Sequence, residues 1–402
     1  MCWACPALFE MLPLEGITVV SLEQAVAAPF ASRQLADLGA RVIKIERPTV
    51  GDFARDYDQT VNGQSAYFLW LNRSKESLTL DVKQPQALDI LDKLMAKADV
   101  FIQNLAPGAA SRLGLSAHTL REKYPRLIVC DISGYGDSGP YAKKKAYDLL
   151  IQSEAGIVSV TGTKDQPSKV GVSLSDIGTG LHAYSAILGA LYQREKTGLG
   201  TRLEVTMFES MVEWMSHPLM YAHFSGKAPQ RSGPDHATIV PYGRFTTGDG
   251  KDVMFGIQNE REWASFCDIV LGRPEYATDS RYDNNTKRNA ARTELVALIH
   301  EVFSHWNAEQ VVAKLDQAGI ANARMNSPDE VWDHAQLKAR DRWRKVDTPK
   351  GPIDALLPPV TCSDFEARMD GVPGIGDHSE SILQELGYTQ AQVSELKAQS
   401  VI

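Results

Sequence analysis

The chain has 402 residues, enough for two or three domains with a sizeable buried core. With 43% hydrophobic and 23% charged residues, its composition is that of a globular protein and excludes a disordered or fibrous chain. The formal net charge of -8 argues against a nucleic-acid-binding protein, which carries a basic surface, but leaves room for a local cationic pocket.

Five cysteines are scattered along the chain, which does not suit a disulfide framework. Cys2 and Cys5 form a Cys-x-x-Cys pair without the second pair of a zinc site or the preceding strand of a redox site. We interpret them as part of an N-terminal extension in which Met11 is an alternative start. No apolar run reaches the roughly 18 residues of a membrane span, and the N-terminus lacks the basic residues of a signal peptide. We expect a cytoplasmic protein with no metal, membrane or nucleic-acid partner.

The first half of the chain alternates between strand-like and helix-like patterns. A β-rich apolar run at 17–22 precedes helical spacing at 27–38 and a second apolar run at 41–46. Two strands joined through a helix are almost always parallel neighbours. The pattern continues with strands at 78–82, 100–104 and 127–132 and helices at 85–98 and 117–123. This alternation predicts an α/β fold with a Rossmann-like, doubly wound sheet.

The second half mixes helices with shorter extended pieces. Residues 148–221 are mostly helical around a short strand-like stretch at 201–206, and 225–235 has the glycine, proline and charge of a linker. Strands at 243–247 and 252–257, with helices up to residue 318, predict a smaller α+β region. Two further segments are a proline-punctuated, extended strap at 349–359 and a pair of helices within 380–402.

Short motifs exclude several enzyme classes. The loop after the first strand lacks the Gly-x-Gly-x-x-Gly of dinucleotide-binding folds, and neither a Walker-type phosphate loop nor a Gly-x-Ser-x-Gly elbow occurs. The nine histidines never form the His-x-x-x-His pair of zinc proteases. Nicotinamide-dependent dehydrogenases, P-loop NTPases, serine hydrolases and zinc proteases are therefore disfavoured.

Basic side chains recur in or beside the predicted loops of the first domain, several of them at the carboxyl ends of strands, where doubly wound sheets bind ligands. The set consists of Lys44, Arg47, Arg73, Lys75, Arg112 and the lysines at 143–145. Guanidinium and ammonium groups are the usual partners of phosphates. Each of these residues is either a solvated surface charge or part of a site for a polyanionic ligand.

Asp176 is the candidate for covalent chemistry. It stands among small residues and glycines in segment 170–182, just before a predicted helix at 180–194, so its carboxylate is approachable. An ionised carboxylate in such a setting can act as a nucleophile. The alternative is an ordinary helix cap, a common role of aspartate at this position.

An ordered set of motifs runs through the chain. It consists of Gly39-Ala-Arg-Val-Ile-Lys-Ile-Glu-Arg-Pro48, residues 72–83, Gln103-Asn-Leu-Ala-Pro-Gly108, Arg112-Leu-Gly114, Ser133-Gly-Tyr-Gly136, Tyr147-Asp148, the Asp176 segment, Lys196-Thr-Gly-Leu-Gly200 and Leu386-Gly-Tyr388. Together these motifs resemble those of the class III CoA-transferases, the CaiB/BaiF family. The resemblance runs from about residue 14 to residue 402, essentially the whole chain.

The resemblance implies a large α/β domain built from both ends of the chain, a smaller middle domain and an interlocked homodimer. On this basis, residues 1–224 are the N-terminal part of the large domain. Residues 225–330 are the small α+β domain with its linker. Residues 331–402 are the return strap and the C-terminal part of the large domain.

The resemblance also implies that Asp176 attacks the carbonyl carbon of an acyl-CoA. An aspartyl anhydride and then an aspartyl-CoA thioester pass CoA to an acceptor carboxylate. Coenzyme A and its thioesters are then substrates, and no permanently bound cofactor, metal or ATP is expected. The expected donors to the tetrahedral intermediates are backbone N–H groups near the start of the Asp176 helix or in the loop at 24–28.

Several residues acquire expected roles through the same resemblance. The expected CoA-binding set consists of Arg47, Arg73, Lys75, Asn104, Leu105 and Arg112. Asp148 matches a second carboxylate near the site, and Tyr147 precedes it. Both are expected to contact the substrate.

Two departures from formyl-CoA transferases concern the first loop, where Gln24 replaces a histidine and Val26 replaces an active-site glutamine. Through the same resemblance, Gln24 and Val26 are expected to contact the substrate. In a third departure, residues 233–242 stand in place of a glycine-rich loop. Formyl and oxalyl groups are therefore disfavoured as substrates.

His236 lies in the replaced loop. With Arg231 or Arg244 nearby, it either recognises a second carboxylate of the substrate or has a structural polar role. Recognition of a second carboxylate would suit succinyl-CoA as donor and itaconate, mesaconate, citramalate or succinate as the acid.

Two other functions stay open at this point. Acyl-CoA racemases of the same superfamily carry a histidine beside the aspartate that matches Asp148. This chain has Tyr147 there, so one of the two bases is missing. A non-catalytic CoA-binding protein is the third reading.

Overall fold

The computed structural model describes residues 11–402, so Cys2 and Cys5 lie outside the described residues. The chain forms two compact units. The first contains the residues up to 157, 170–217 and 341–402, and the second contains 158–169 and 218–340. The division made from the sequence placed 158–169 in the large domain. In the structure these residues belong to the second unit, where their backbone carbonyls accept hydrogen bonds from Arg231.

A six-stranded parallel sheet forms the centre of the first unit. Its strands are β1 (Thr18–Leu22), β2 (Arg41–Glu46), β3 (Lys75–Thr79), β4 (Val100–Gln103), β5 (Ile128–Ser133) and β6 (Arg202–Thr206). They lie in the order β3-β2-β1-β4-β5-β6, with every neighbouring pair parallel. The predicted α/β class with a parallel sheet is confirmed.

Strand β3 begins at Lys75, before the apolar run at 78–82 from which it was predicted. The start was missed because Lys75 is charged and so does not fit a hydrophobic pattern, although it is buried. The Lys75 ammonium lies 2.8 Å from Oε1 of Glu23, which is also buried. A charged residue with a buried partner can extend a strand although it breaks the hydrophobic pattern.

The helices connect and cover the strands. In chain order they are α1 (Ala27–Asp37), α2 (Ala66–Leu71), α3 (Pro85–Met95), α4 (Ala109–Arg112), α5 (Ala117–Lys123), α6 (Asp148–Glu154), α7 (Ile157–Val160), α8 (Leu174–Thr197), α9 (Met207–Trp214), α10 (Ser216–Ser225), α11 (Glu260–Ser265), α12 (Asn285–Ala290), α13 (Arg292–Phe303), α14 (Ala308–Gln317), α15 (Pro328–Trp332), α16 (Ala335–Ala339), α17 (Ser379–Glu385) and α18 (Gln390–Ala398). Short 3₁₀ turns lie at Phe53–Asp56 and Pro274–Ala277, and a π-helical turn lies at Phe266–Val270.

Helix α8 starts before residue 180, so Asp176 lies inside its first turn and does not precede it. Two glycines remain helical there because neighbouring elements approach them closely. A Cβ on Gly178 would lie 2.6 Å from a side-chain carbon of α9, and one on Gly180 would lie 2.6 Å from the backbone oxygen of Ala27 in α1. Tertiary packing therefore outweighs the low helix propensity of glycine, and the expected helix start is wrong.

Both faces of the sheet are buried. On one face, α1 and α8 pack on the strands through residues such as Val19, Ala31 and Ile187. On the other, α3, α5 and the two C-terminal helices pack around Phe101 and Ile382. Burial on both sides explains why the strands are continuous apolar runs in the sequence.

The C-terminal segment covers the open edge of the sheet beside β3. The backbone N–H of Ser74 donates to the carbonyl of Gly371, and that of Thr79 donates to the Ser379 hydroxyl oxygen at 3.0 Å. The first unit therefore contains residues from both ends of the described chain, and its edge strand offers no free template for pairing.

The second unit has its own antiparallel sheet and core. Its strands are β7 (Tyr242–Thr246), β8 (Asp252–Gly256) and β9 (Asn322–Arg324), in the order β7-β8-β9. Helices α11, α13 and α14 contribute to a core around Trp263, Phe266 and Phe303. Strand β9 was not predicted, because three residues carry too short an alternation to detect.

The proline-punctuated strap belongs to a hairpin in the first unit. Strands β10 (Trp343–Val346) and β11 (Ile353–Leu356) pair antiparallel, so part of the predicted extended strap is a strand. The connection uses Gly351 at φ 105°, a conformation that glycine adopts without steric cost.

Candidate active site

The carboxyl ends of β1, β2 and β3 open into a cavity of about 440 Å³, here called the first cleft. Its lining includes Gln24 after β1, Arg47 after β2, Lys83 after β3 and Leu105 after β4. The strand order reverses between β1 and β4, and ligands of doubly wound sheets bind at such a reversal. A second cleft of about 890 Å³ opens at the ends of β4, β5 and β6 and shares Leu105 with the first.

Helix packing places the first turns of α8, which contain Asp176, against the start of α1. Gly180 lies one turn after Asp176 on the same face of α8 and meets the first turn of α1 at the backbone oxygen of Ala27. Helix α1 begins directly after this loop. The first turn of α8 is therefore on the Gln24 side of the sheet.

The surroundings of Asp176 disfavour its ionised form. Burial raises the pKa of its carboxyl, and the negative charge of Asp148 raises this pKa further, to about 7. Within the described residues no hydrogen bond to the carboxylate offsets these effects. The N-cap position is held by Ser173, so the cap reading does not fit Asp176. A weakly solvated carboxylate that ionises near neutral pH suits a nucleophile.

Asp148 is fixed immediately behind the first turn of α8. Its Oδ1 accepts hydrogen bonds from the backbone N–H of Ser175 at 2.8 Å and from the Ser175 hydroxyl at 2.6 Å. Its Oδ2 accepts one from Nε2 of Gln152 at 2.8 Å. Asp148 therefore holds the helix start and keeps a negative charge near Asp176. Tyr147, the preceding residue, is 68% exposed.

Tyr57 joins this cluster from the loop after β2. Burial, followed by the charges of Asp52 and Asp176, raises the pKa of Tyr57 to about 12. The hydroxyl therefore stays protonated at neutral pH and remains a hydrogen-bond donor in the vicinity of Asp176. The sequence carries no local signal for Tyr57, because its role depends on carboxylates distant along the chain.

The turn at Gln24 and Ala25 is held by side chains from two other loops. The Asn104 side-chain amide accepts the Gln24 N–H at 2.9 Å and donates to the Gln24 carbonyl at 2.8 Å. Oδ1 of Asp52 accepts the Ala25 N–H at 3.1 Å. These two backbone N–H groups are occupied and do not serve a tetrahedral intermediate, whereas the expectation for the rest of the loop at 24–28 and for the start of the Asp176 helix stays a prediction. Val26, expected to contact substrate, is buried outside the cleft lining.

Lys75 lies in the interior, where it neutralises a carboxylate. Its ammonium donates to Oε1 of Glu23 at 2.8 Å, to Oδ1 of Asn72 at 3.0 Å and to the carbonyl of Pro29 at 3.1 Å. Burial lowers the pKa of Lys75 to about 8. On Glu23 burial would raise the pKa, yet Lys75 and Lys44 lower it to about 2. We therefore leave Lys75 out of the proposed CoA-contacting set.

Arg73 is likewise committed to the fold. Its Nε and Nη2 each lie 2.8 Å from a carboxylate oxygen of Asp37, and its Nη1 donates to the carbonyl of Leu356 at 3.2 Å. The residue is 3% exposed. Arg73 joins α1 to β11 and is not available to a phosphate, which also removes it from the set.

The exposed cations of the first cleft are Arg47 and Lys83. Nε of Arg47 donates to the carbonyl of Gly51 at 3.1 Å, and the rest of its guanidinium faces outward. Lys83 was missed from the sequence, although its place after β3 was a usable signal. The basic residues of the second cleft are Arg112, Arg121, Lys143, Lys145 and Arg202.

His236 lies in the second unit, and its ring orientation is set by the backbone. Its Nδ1 accepts hydrogen bonds from the N–H groups of Thr238 at 3.2 Å and Ile239 at 3.1 Å, so Nε2 carries the proton. The ring stacks on Tyr242 with a centroid distance of 5.2 Å. Arg231 is fully engaged by backbone carbonyls and is structural.

Across residues 11–402, no helix combines the length and apolar character needed to cross a bilayer. In the same part of the chain, no group of three or more histidine, cysteine, aspartate or glutamate side chains is arranged as a metal site.

Comparisons with known proteins agree with the motifs. CoA-transferase family III matches residues 14–379. The chain is 35% identical to a succinyl-CoA:glutarate CoA-transferase of Mus musculus, covering 98% of this chain and 91% of that protein. It is 34% identical to an acetyl-CoA:oxalate CoA-transferase of Acetobacter aceti, covering 94% and 97%.

Among solved structures, a CaiB/BaiF family protein from Brucella suis is similar, with a TM-score of 0.85 and 34% identity. The match covers 94% of this chain and 100% of that chain. Because the family match and both relatives span nearly the whole sequence, the chain belongs to CoA-transferase family III, the CaiB/BaiF CoA-transferases.

Proposed function

We propose that the protein transfers CoA from succinyl-CoA to a dicarboxylate through covalent intermediates on Asp176. The observation that carries this proposal is the place of Asp176 in the first turn of α8, where burial and the charge of Asp148 raise the pKa of its carboxyl to about 7. A thioester carbonyl requires a nucleophile that is ionised yet poorly solvated, and Asp176 meets both requirements near neutral pH.

The first half of the proposed reaction loads CoA onto the enzyme. A carboxylate oxygen of Asp176 attacks the thioester carbonyl carbon, the carbon–sulfur bond breaks, and CoA thiolate leaves an aspartyl mixed anhydride. The thiolate then attacks the aspartyl carbonyl carbon. This expels the donor acid as a carboxylate and leaves an aspartyl-CoA thioester.

The second half repeats these steps with the acceptor. Its carboxylate attacks the aspartyl thioester, releasing thiolate and forming a second anhydride. The thiolate attacks the acceptor carbonyl carbon of this anhydride, which forms the new acyl-CoA and restores the Asp176 carboxylate. Each step exchanges one activated acyl group for another, so the energy of the thioester is retained and no ATP is consumed.

Two side chains are the proposed donors to the oxyanions of these steps. The Gln24 side chain lines the first cleft, and its amide forms no hydrogen bond within the described residues. The Tyr57 hydroxyl is protonated near Asp176. Donors aimed at developing negative charge stabilise a tetrahedral intermediate more than the ground state. In this proposal the two side chains act in place of the backbone N–H groups of Gln24 and Ala25, which donate to Asn104 and Asp52.

The proposed CoA site follows the exposed cations. Arg47 and Lys83 bind phosphate groups in the first cleft, Leu105 contacts the chain between the two clefts, and Arg112 contributes from the second cleft. Asn104 contributes indirectly by holding the Gln24 backbone.

Removal of either exposed cation of the first cleft is expected to weaken acyl-CoA binding. Arg47→Ala and Lys83→Ala should each raise KM for succinyl-CoA about tenfold, because each removes a charge-assisted contact to phosphate. Steady-state kinetics measures both constants, and kcat should change less than about threefold. Lys97→Ala removes an exposed lysine outside both clefts as a control. An unaltered KM in both cleft variants would contradict this placement of CoA.

The proposed acids are dicarboxylates. The mouse relative is named for succinyl-CoA and glutarate, and the Acetobacter relative for acetyl-CoA and oxalate. Glutarate therefore joins itaconate, mesaconate and citramalate as a candidate acceptor. Recognition of the second carboxylate by His236 stays a prediction from the sequence.

We also propose that the protein is a homodimer. Three large apolar side chains of α10, Met220, Tyr221 and Phe224, are 61%, 52% and 80% exposed. A cluster of this kind is typical of a surface that a partner covers.

A screen of acceptors tests the proposed reaction. Incubation with succinyl-CoA and each dicarboxylate should produce a new thioester together with free succinate. Liquid chromatography measures both products. Pentanoate, a monocarboxylate matched to glutarate in chain length, is the control and should react poorly. Exchange of an α-proton without an acceptor would indicate a racemase. Binding of acyl-CoA with no new thioester for any acceptor would indicate a non-catalytic protein.

A further inference from the structure

The turn at Gln24 and Ala25 holds a strained backbone conformation in the first cleft. Ala25 has φ 63°, in the left-handed region that a residue with a Cβ atom avoids. Such a conformation persists only where surrounding groups enforce it, and strained residues cluster at functional sites. The group that enforces it here is the Asp52 carboxylate, which accepts the Ala25 N–H at 3.1 Å.

Asp52 is itself held rigidly. Its Oδ1 also accepts the Ala54 N–H at 2.9 Å, and its Oδ2 lies 2.8 Å from the ammonium of Lys44, which is fully buried. Lys44 in turn lies 3.4 Å from Oε1 of Glu23, the residue that precedes the turn. Asp52, which holds the turn, and Glu23, which precedes it, therefore both contact the buried ammonium of Lys44.

The chain before Asp52 is fixed as well. The Asp52 N–H donates to Oε2 of Glu46 at 3.1 Å, and Glu46 pairs with Arg55 at 2.8 Å. Gly51 has φ 66°, and a Cβ there would lie 2.6 Å from Oε2 of Glu46, so only glycine fits. These contacts fix the position of Asp52, so its carboxylate stays in place if the backbone at Ala25 changes conformation.

We propose that Asp52 is a positioning residue: by accepting the Ala25 N–H it holds the left-handed turn that presents the Gln24 side chain to the first cleft. Asp52 acts through Ala25 and touches no reacting atom. This inference rests on the proposed transferase function, in which the Gln24 amide stabilises an oxyanion. Asn104 holds the N–H and the carbonyl of Gln24, so Asn104 and Asp52 together fix the two residues of the turn.

One pair of substitutions tests the turn without disturbing the buried charges. Ala25→Val introduces a β-branched residue, for which a positive φ is a severe outlier, whereas Ala25→Gly tolerates it. In the transfer assay, kcat of Ala25→Val is expected to be at least about tenfold below that of Ala25→Gly, because small misplacements of catalytic groups carry large rate penalties.

A second set of variants removes the Asp52 carboxylate that accepts the Ala25 N–H. Asp52→Ala should lower kcat at least about tenfold, and Asp52→Asn, which keeps Oδ1 as an acceptor, should lose less. Adding Ala25→Gly to Asp52→Ala should restore part of the lost kcat, because glycine adopts the turn without the hydrogen bond. If Asp52 only stabilised the fold, adding Ala25→Gly would not restore kcat.

Asp99→Ala is the matched control. Oδ2 of Asp99 accepts the Thr18 N–H at 2.8 Å at the opposite end of β1, so this variant also removes a carboxylate from a backbone N–H of the sheet. It should lower the melting temperature while kcat stays within about twofold of the original.

The inference is overturned if Asp52→Ala keeps the original kcat, if the two Ala25 variants have equal kcat, or if the double variant is no faster than Asp52→Ala. Thermal unfolding of each variant shows whether a loss of kcat comes from loss of the fold. An original protein that transfers no CoA would overturn the proposed function itself, and with it this role of Asp52.

Discussion

Replacement of Asp176 by alanine is expected to lower kcat for CoA transfer by at least about a thousandfold, because no carboxylate remains to form the anhydride. Acyl-CoA binding should stay within about threefold, since Arg47 and Lys83 are untouched. Steady-state transfer assays and titration calorimetry with CoA measure the two quantities. Turnover at the original rate in the variant would show that another group is the nucleophile.

Chemical trapping distinguishes the proposed nucleophile from a residue that only supports the fold. Hydroxylamine added during turnover attacks an acylated aspartate and leaves a hydroxamate, which peptide mass spectrometry locates. The modification is expected at Asp176 when acyl-CoA is present and not in its absence. Asp148, which accepts hydrogen bonds from Ser175 and Gln152, serves as an internal control and should stay unmodified. Unmodified Asp176 during continued transfer would contradict the covalent route.

The second large effect concerns pH. Only ionised Asp176 can attack, and burial together with the charge of Asp148 raises its pKa to about 7. As pH falls through this value the carboxyl takes up a proton. We therefore expect kcat/KM, which reports groups of the free enzyme, to fall about a hundredfold from pH 8 to pH 5. A profile that is flat between these values would contradict the assignment.

Asp148→Asn tests the cause of the raised pKa. Asparagine keeps an acceptor for the Ser175 N–H but removes the negative charge, so the acid limb of kcat/KM should move to lower pH. Asp92→Asn removes a partly exposed carboxylate from α3, outside both clefts, and should leave the limb in place. An acid limb that stays or moves upward in Asp148→Asn would show that Asp148 does not raise the pKa of Asp176.

The sheet was predictable because its signal is local. Strands buried on both faces are short apolar runs, and the helices between them show their own spacing, so neighbouring residues reveal both. Prediction was wrong where distant contacts overrode that pattern. Lys75 extends β3 because Glu23, 52 positions away, neutralises it, and Gly178 and Gly180 stay helical because α9 and α1 approach them.

The candidate site divides in the same way. Asp176 and Asp148 were identifiable from ordered motifs, and Arg47 from its place after a strand. Arg73 and Lys75, just before the predicted third strand, were part of the same cationic set, yet they neutralise buried carboxylates, while Lys83 lines the cleft. Hydropathy and spacing do not distinguish the paired, buried cations from the exposed ones, because the partners that bury them are distant in the chain.

The sequence by itself determined the α/β class, the order along the chain of the strands of the parallel sheet, the net charge and the motifs of the family, since each depends on residue type and short-range spacing. Only the tertiary structure decided which charges are free and which are paired. It also placed Asp148 near Asp176 and Asp52 on Ala25. The physical reason is that burial, ion pairing and pKa depend on groups brought together across tens of residues, such as the 27 that separate Ala25 from Asp52.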